Sequence, residues 1–435
     1  SVERAFLSNH SINLLGLRGQ AKTKLARTCV NLLDEWIPII KGSETNDDPL
    51  NPIFKSSLEM IKSSGDKTEI DWLNRDERFY EKLATPDVTV SDLIGDIDPI
   101  KATNLKLSYS NEEVIHFGLI PRAHRCIFVL NELPDLQPRI QVSLFSILEE
   151  KEIQIRGFKL RIPLDLQFIF TANPEDYTNR GSIVTPLKDR IGSQIITHYP
   201  HTLSIAKKIT SQESDVKASN IYIPELASDL IEEINFAARK SEFVDFKSGV
   251  SARMSITAFE NLVSTAKRRM LINGEKESSI RLSDFSGIIP AINGKIELVY
   301  EGEEQGADQI SFNLINEGVK TIFLKYFPEI SKLEKPNEVT PYDGILSWFI
   351  ENNNELFIGD DFTDSEYRNA IDAMKPLDNL IKKYCKNIDR ADHYFIKEVL
   401  LWGLSSFKKL SKNRMQDGIE FKDSLGTYLR NLNSD

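Results

Sequence analysis

Between Leu14 and Ala26 the chain reads LLGLRGQAKTKLA: two apolar residues, a glycine turn, a lysine, a threonine and the start of a helical pattern. This is close to the phosphate-cradling pattern G-x-x-x-x-G-K-[ST], with Ala21 where the second glycine belongs. Such a loop turns backbone N–H groups towards an anion at a helix N-terminus and adds a lysine for the β and γ phosphates. Gly16 and Gly19 permit the tight path, Lys22 supplies the charge, and the Thr23 hydroxyl suits Mg2+. Ala21 lacks glycine's freedom at positive φ, but it need not block a conformation with negative φ. The expected nucleotide-binding set of the loop is Gly16, Arg18, Gly19, Gln20, Ala21, Lys22, Thr23 and Lys24. A glycine turn before an ordinary helix has the same local pattern, so the loop needs partners from elsewhere.

Three later segments offer them. In CIFVLNELPDL an apolar run delivers Asn131 and Glu132 to its end. A glutamate there can activate water as a general base. An aspartate is the more usual neighbour; Asn131 has no charge, but its amide oxygen can accept from metal-bound water. The expected magnesium-side residues are therefore Thr23 and Asn131. FTANPEDY ends another apolar run with Asn173, suited to orienting the attacking water, and TPLKDRIG offers Arg190 to stabilise charge on a γ-phosphate across a subunit interface.

These residues need a scaffold that brings them together. INLLGL (12–17), CIFVLNE (126–132) and DLQFIFTAN (165–173) are short continuous apolar runs separated by helical patterns. That arrangement predicts buried parallel strands in a three-layer α/β domain, with ligands at the carboxyl ends of the strands. Residues 41–76 are polar and loosely patterned, and are expected to form a solvated insertion. Residues 149–167 alternate around Arg156-Gly157 and predict a hairpin carrying Arg156, Lys159 and Arg161. Beyond residue 221 the period becomes helical, with helices expected near 255–271, 309–327, 364–386, 393–410 and 419–431.

Composition narrows the field. The 435 residues carry 65 acidic and 54 basic side chains, a formal net charge of −11, which disfavours broad phosphate-driven nucleic-acid binding. Three dispersed cysteines form no C-x-x-C pair, and the six histidines show no metal-ligand spacing. No apolar stretch approaches membrane-spanning length, so a cytoplasmic protein is expected.

In order, these segments resemble the AAA+ ATPases, specifically the MoxR branch beside the magnesium-chelatase ATPase subunit. That branch carries alanine at the position of Ala21. TPDVTVSDLIGDI (85–97), GLIPRAHRCIFVLNEL (118–133), QVSLFSILEEKEIQI (141–155) and PLKDRI (186–191) look like its successive blocks. The resemblance implies ATP and Mg2+ as cofactors, Glu132 as catalytic glutamate, Asn173 as sensor one and Arg190 as arginine finger, beside Asp189. It also implies Arg253 as a sensor-two arginine, a helix-two insert at about 98–117 and a hairpin at 151–163. The implied domains are a nucleotide-binding core (1–205, with the 41–76 insertion), a helical lid (206–300) and a C-terminal helical domain (301–435). A homo-oligomeric ring follows from the arginine-finger logic, a hexamer being one candidate, and similar proteins often work with a partner containing a von Willebrand factor A domain.

The leading expectation is an ATP-hydrolysing motor that remodels or activates a partner protein, in chaperone-like maturation or metal insertion. Asn131 supports a second reading, a nucleotide-gated scaffold with little turnover. The basic hairpin and Lys267–Arg269 support a third, nucleic-acid remodelling, ranked last because of the net acidity.

Overall fold

The computed structural model describes residues 1–106, 112–155, 161–174, 182–216, 220–330, 340–351 and 354–424. It divides the chain into two compact units, Ser1–His198 and Tyr199–Asp435. Among the described residues no helix is long and apolar enough to cross a membrane.

The first unit contains β1 (Ile12–Leu15), β2 (Trp36–Ile40), β3 (Ile70–Asn74), β4 (Phe79–Leu83), β5 (Gly95–Ile97), β6 (Ile115–Phe117), β7 (Cys126–Asn131), β8 (Glu152–Gln154), β9 (Arg161–Pro163), β10 (Leu166–Ala172) and β11 (Ser193–Ile196). Five of these form a parallel sheet in the order β11-β1-β10-β7-β4. The three apolar runs are thus adjacent strands, β1, β10 and β7. Every residue of β7 is buried, and successive side chains serve opposite faces. Phe128 and Leu130 join a cluster with Ile140, Leu144 and Leu187, whereas Ile127 and Val129 join Ile12, Leu14 and Ala26. Apolar side chains on both faces explain why these strands are continuously hydrophobic rather than alternating. Burying each such side chain contributes roughly 1.5–3 kcal/mol. After β1 the chain crosses to β4 at the far edge, then returns through β7 and β10. That places the carboxyl ends of β1, β10 and β7 side by side.

The 41–76 stretch is more ordered than its polar composition suggests. It contains a helix, Lys55–Ser64, and β3, which pairs antiparallel with β2. The Asp47 carboxylate accepts the N–H groups of Asp48, Ile53 and Phe54, closing the polar turn. Phe54 is then buried edge-on against Phe117, with ring centroids 5.3 Å apart. Local carboxylate–backbone bonds of this kind leave no hydrophobic period to read. The expected hairpin is present as β8 paired with β9. Its Arg156, Gly157 and Lys159 lie outside the described residues, while Arg161 sits 3.6 Å from Glu150 and 3.7 Å from Glu152.

The second unit is mainly helical, including Leu203–Glu213, Glu225–Lys240, Ala252–Ile272, Ala307–Tyr326 and His393–Ser406. One hydrophobic cluster runs through it from Ile221 to Phe421, with members on both sides of the exposed Tyr300. At Gly318, a β-carbon would lie 2.9 Å from Ile234 Cγ1, so helices 225–240 and 307–326 pack closely there. Two-residue strands β12 (Ile221–Tyr222) and β13 (Ser278–Ser279) pair in parallel.

Three helix expectations are corrected here. The segment 364–386 divides into Asp364–Asp372 and Lys375–Tyr384, with Pro376 in the first turn of the second helix. The helix from His393 ends at Ser406, and Lys408 takes φ 59° before a strand begins. The helix expected at 419–431 starts instead as strand, since Ile419 and Phe421 alternate into the core with period two. These are strands of an antiparallel sheet in the order β14 (Leu356–Gly359), β16 (Gly418–Asp423), β15 (Leu410–Arg414).

Candidate nucleotide site

The glycine loop leaves the end of β1 and enters the helix Lys22–Thr28. Gly19 has φ 69° and Ala21 has φ 58° with ψ 23°, so both lie in the left-handed region. Ala21 thus takes the positive φ at which it lacks glycine's freedom. The methyl group is tolerated there, at a cost of about 1 kcal/mol, and Ala21 is exposed. Gly16 is required by close approach: a β-carbon would clash with both Gln20 Oε1 and Thr197 Oγ1. The Thr197 hydroxyl donates to Gln20 at 2.8 Å, and the Thr197 N–H donates to Leu15 O at 2.8 Å. Thr197, just past β11, therefore braces the loop.

Lys22 is buried, and its ammonium donates to Gly16 O at 2.5 Å, Leu17 O at 3.0 Å and Asn173 Oδ1 at 2.6 Å. The charge is thus held over the loop by groups that an incoming phosphate can replace. Asn173 follows β10, and its amide N–H donates to Glu132 Oε2 at 2.7 Å. Glu132 follows β7 with φ 55°, a kink that ends the strand and begins the short turn Leu133–Asp135. Its backbone N–H donates to Thr171 Oγ1 at 3.1 Å.

On the other side of the loop, the Thr23 hydroxyl donates to Asn131 Oδ1 at 3.4 Å, and the Thr171 hydroxyl donates to the same oxygen at 3.1 Å. Asn131 Nδ2 donates to Glu81 Oε1 at 2.6 Å, and Arg27 Nε donates to Glu81 Oε2 at 2.9 Å. Glu81 raises the Arg27 guanidinium above its ordinary pKa, chiefly through that hydrogen bond.

Lys22, Thr23, Asn131, Glu132 and Asn173 are therefore brought together at the ends of three adjacent strands. Arg18 and Lys24 are on the loop and first helical turn. Arg190 ends the helix Thr185–Arg190 and makes other contacts: Nε to Glu149 Oε2 at 2.6 Å, Nη1 to Pro186 O at 2.9 Å, and its guanidinium 5.0 Å from the Phe145 ring centroid. Arg253 belongs to the second unit, in the first turn of Ala252–Ile272, where its backbone N–H donates to the capping Ser251 hydroxyl at 3.1 Å.

Glu81, Thr171 and Thr197 were not singled out from sequence. Glu81 lies in FYEKL, a short edge strand without a strong apolar run, and Thr171 sits within FIFTAN, where its side chain resembled strand filler.

The donor set suits magnesium: Thr23 hydroxyl and Asn131 amide oxygens are hard ligands or acceptors from coordinated water. Among the described residues no group of three or more His, Cys, Asp or Glu side chains is placed to hold a metal. The cysteines offer no competing chemistry. Burial pushes the Cys29 and Cys385 thiols up to about 11 and Cys126 to about 12, leaving no thiolate at neutral pH.

A parallel sheet with a lysine-bearing glycine loop at one central strand end and a glutamate at another defines a nucleotide-hydrolysing P-loop domain. Residues 70–191 match the AAA domain (dynein-related subfamily). Residues 70–191 are thus an AAA ATPase domain, and the chain is similar to the MoxR and magnesium-chelatase ATPases. Solved structures resemble it distantly. A magnesium-chelatase complex between subunits BchI and BchD is 16% identical, covering 70% of this chain and 95% of that one, with a TM-score of 0.37. A candidate ATPase of Cytophaga hutchinsonii is 18% identical over 72% of this chain and 86% of that one, with a TM-score of 0.27. NtrX of Brucella abortus in complex with ATP is 15% identical over 76% and 61%, with a TM-score of 0.37. The family match together with the site, not these distant likenesses, carries the class.

Proposed function

We propose that this AAA+ ATPase is an oligomeric motor that hydrolyses ATP to remodel or activate a partner protein. The observation that carries the reading is the chain Lys22–Asn173–Glu132, at 2.6 and 2.7 Å. It joins the phosphate-facing ammonium to the carboxylate that would activate water.

In this reading Lys22 and the loop residues Gly16, Arg18, Gly19, Gln20 and Ala21 bind the phosphates, with Lys24 at the first helical turn. Glu132 takes the proton of the attacking water, and Asn173 orients that water and responds to the γ-phosphate. Thr23 and Asn131 hold the magnesium side. When bound with nucleotide, Mg2+ supplies charge neutralisation at the β and γ oxygens. Arg190 exchanges Glu149 for the nucleotide of a neighbouring subunit, which requires a ring, with a hexamer as the candidate size. Arg253 contacts phosphate from the lid, residues 206–300, and residues 301–435 form the C-terminal domain. The magnesium-chelatase structure is a complex of two different subunits. By analogy, a second protein, with a von Willebrand factor A domain as the leading candidate, receives the mechanical output. Metal insertion and chaperone-like maturation are the tasks that fit.

The test is ATP turnover against protein concentration, with Lys22→Ala as control. Turnover per subunit should rise as rings assemble, and Lys22→Ala should reduce it roughly 100-fold or more. Tight binding without Lys22-dependent hydrolysis at ring-forming concentrations would overturn the motor. That result would establish the nucleotide-gated scaffold, which the uncharged Asn131 favours. Nucleic-acid remodelling ranks third on the formal net charge of −11.

A further inference from the structure

Asn131 replaces an aspartate, yet a carboxylate lies one hydrogen bond behind it. Glu81 comes from β4, the edge strand beside β7, in the register that pairs Glu81 with Val129 and Leu83 with Asn131. The residue is exposed on the edge, but its side chain is only 23% exposed because it turns towards Asn131 and Arg27. An ionised carboxylate can only accept, so the Asn131 group facing it must be the NH2. That fixes the amide's other end. Asn131 Oδ1 then faces the Thr23 and Thr171 hydroxyls, at 3.4 and 3.1 Å, both of which donate to it. A charged acceptor at 2.6 Å also polarises the amide and makes that oxygen a better acceptor.

We propose that Glu81 is a positioning residue for the magnesium side of the site, orienting and polarising Asn131 so that its neutral amide serves in place of a carboxylate. This rests on the nucleotide reading above. It has a consequence for the apparent repair, Asn131→Asp. An aspartate there would set two acceptor-only carboxylates against each other with no N–H between them, so they would repel and turn apart. Restoring the aspartate alone should therefore fail. Restoring it together with Glu81→Gln should succeed, because the new amide can donate to the introduced carboxylate.

The experiment measures the affinity of the full chain for a fluorescent ATP analogue with Mg2+ and with EDTA, and takes the ratio as metal coupling. Thermal melts check folding of each variant. Glu81→Ala should lower the coupling about tenfold with the EDTA affinity unchanged. Glu81→Gln should lie between, since it replaces one of the two carboxylate oxygens that now accept separately from Asn131 and Arg27 and removes the charge. Arg27→Ala, which removes the salt bridge but leaves Asn131 held, should change the coupling less than twofold. Asn131→Asp should couple no better than wild type, and Asn131→Asp with Glu81→Gln should exceed both. Equal effects of Arg27→Ala and Glu81→Ala would reduce Glu81 to a surface brace and overturn the proposal. So would wild-type coupling in Glu81→Ala, or full coupling in Asn131→Asp alone. A wild-type chain that binds no nucleotide under either condition would instead overturn the nucleotide reading itself.

Discussion

Asn173 donates its amide N–H to Glu132 at 2.7 Å while its amide oxygen accepts from Lys22 at 2.6 Å. One side chain thus couples the group that would meet the γ-phosphate to the group that would activate water. A phosphate that drew Lys22 away would free the Asn173 oxygen.

This relationship predicts that binding and hydrolysis separate. Glu132→Gln should keep nucleotide affinity within a few-fold and lower turnover by about 10²–10⁴, the usual contribution of a general base. Asn173→Ala should bind nucleotide normally and also lose turnover. Isothermal titration beside a phosphate-release assay reads both. Loss of binding in either variant would place these residues in nucleotide capture instead.

Arg190 is engaged by Glu149, Pro186 O and the Phe145 ring within its own subunit. An arginine acting across an interface must exchange these contacts. Arg190→Ala should lower turnover by roughly 10³-fold, the lower end for an arginine finger. Mixing Arg190→Ala subunits with Lys22→Ala subunits should recover partial activity, because each supplies what its neighbour lacks. An unchanged rate in Arg190→Ala would remove Arg190 from the mechanism.

Ala21 stands at φ 58°, a conformation that glycine adopts without penalty. Ala21→Gly should retain nucleotide binding and leave stability equal or up to about 1 kcal/mol higher. Ala21→Val, β-branched in the same conformation, should impair both. Urea denaturation and nucleotide titration of the three proteins check the order.

Glu398, in the second unit, supplies a pH signature of its own. Its carboxyl is fully buried; Oε2 accepts from Leu282 N–H and from the Tyr367 hydroxyl, both at 2.8 Å, and Oε1 has no hydrogen-bond partner among the described residues. Burial, with Asp284 nearby and Arg281 opposing, pushes its pKa from 4.5 to about 7. Below pH 4.5 both folded and unfolded chains hold the proton. As pH rises from 4.5 towards 7 the unfolded chain ionises first, so this group's contribution to stability falls by about 1.4 kcal/mol per pH unit. Above that window the loss is complete and constant. Glu398→Gln should flatten this part of the stability–pH curve in urea titrations, and an unchanged slope would assign it to other groups.

Much of the nucleotide unit was legible because its signals are local. A lysine after a glycine turn, and polar residues ending continuous apolar runs, report chemistry and strand burial within a dozen residues. The second unit was less legible. Ile419 and Phe421 alternate over too few residues to separate strand from helix, and only pairing with Leu356–Gly359 and Leu410–Arg414 decides the matter. The 41–76 segment hid its order in Asp47, whose carboxylate organises backbone N–H groups without any hydrophobic period.

What the sequence by itself determined was the inventory of the site: Lys22, Thr23, Asn131, Glu132 and Asn173, each at the end of a run that had to be buried. Tertiary structure decided how those residues are wired. The loop adopts a left-handed backbone at Ala21, and Glu81 meets Asn131 because β4 pairs with β7 across 50 residues of chain. Hydrogen bonds between distant segments leave no periodicity in either one, so only the sheet order reveals that the carboxylate missing from position 131 has a counterpart on the neighbouring strand.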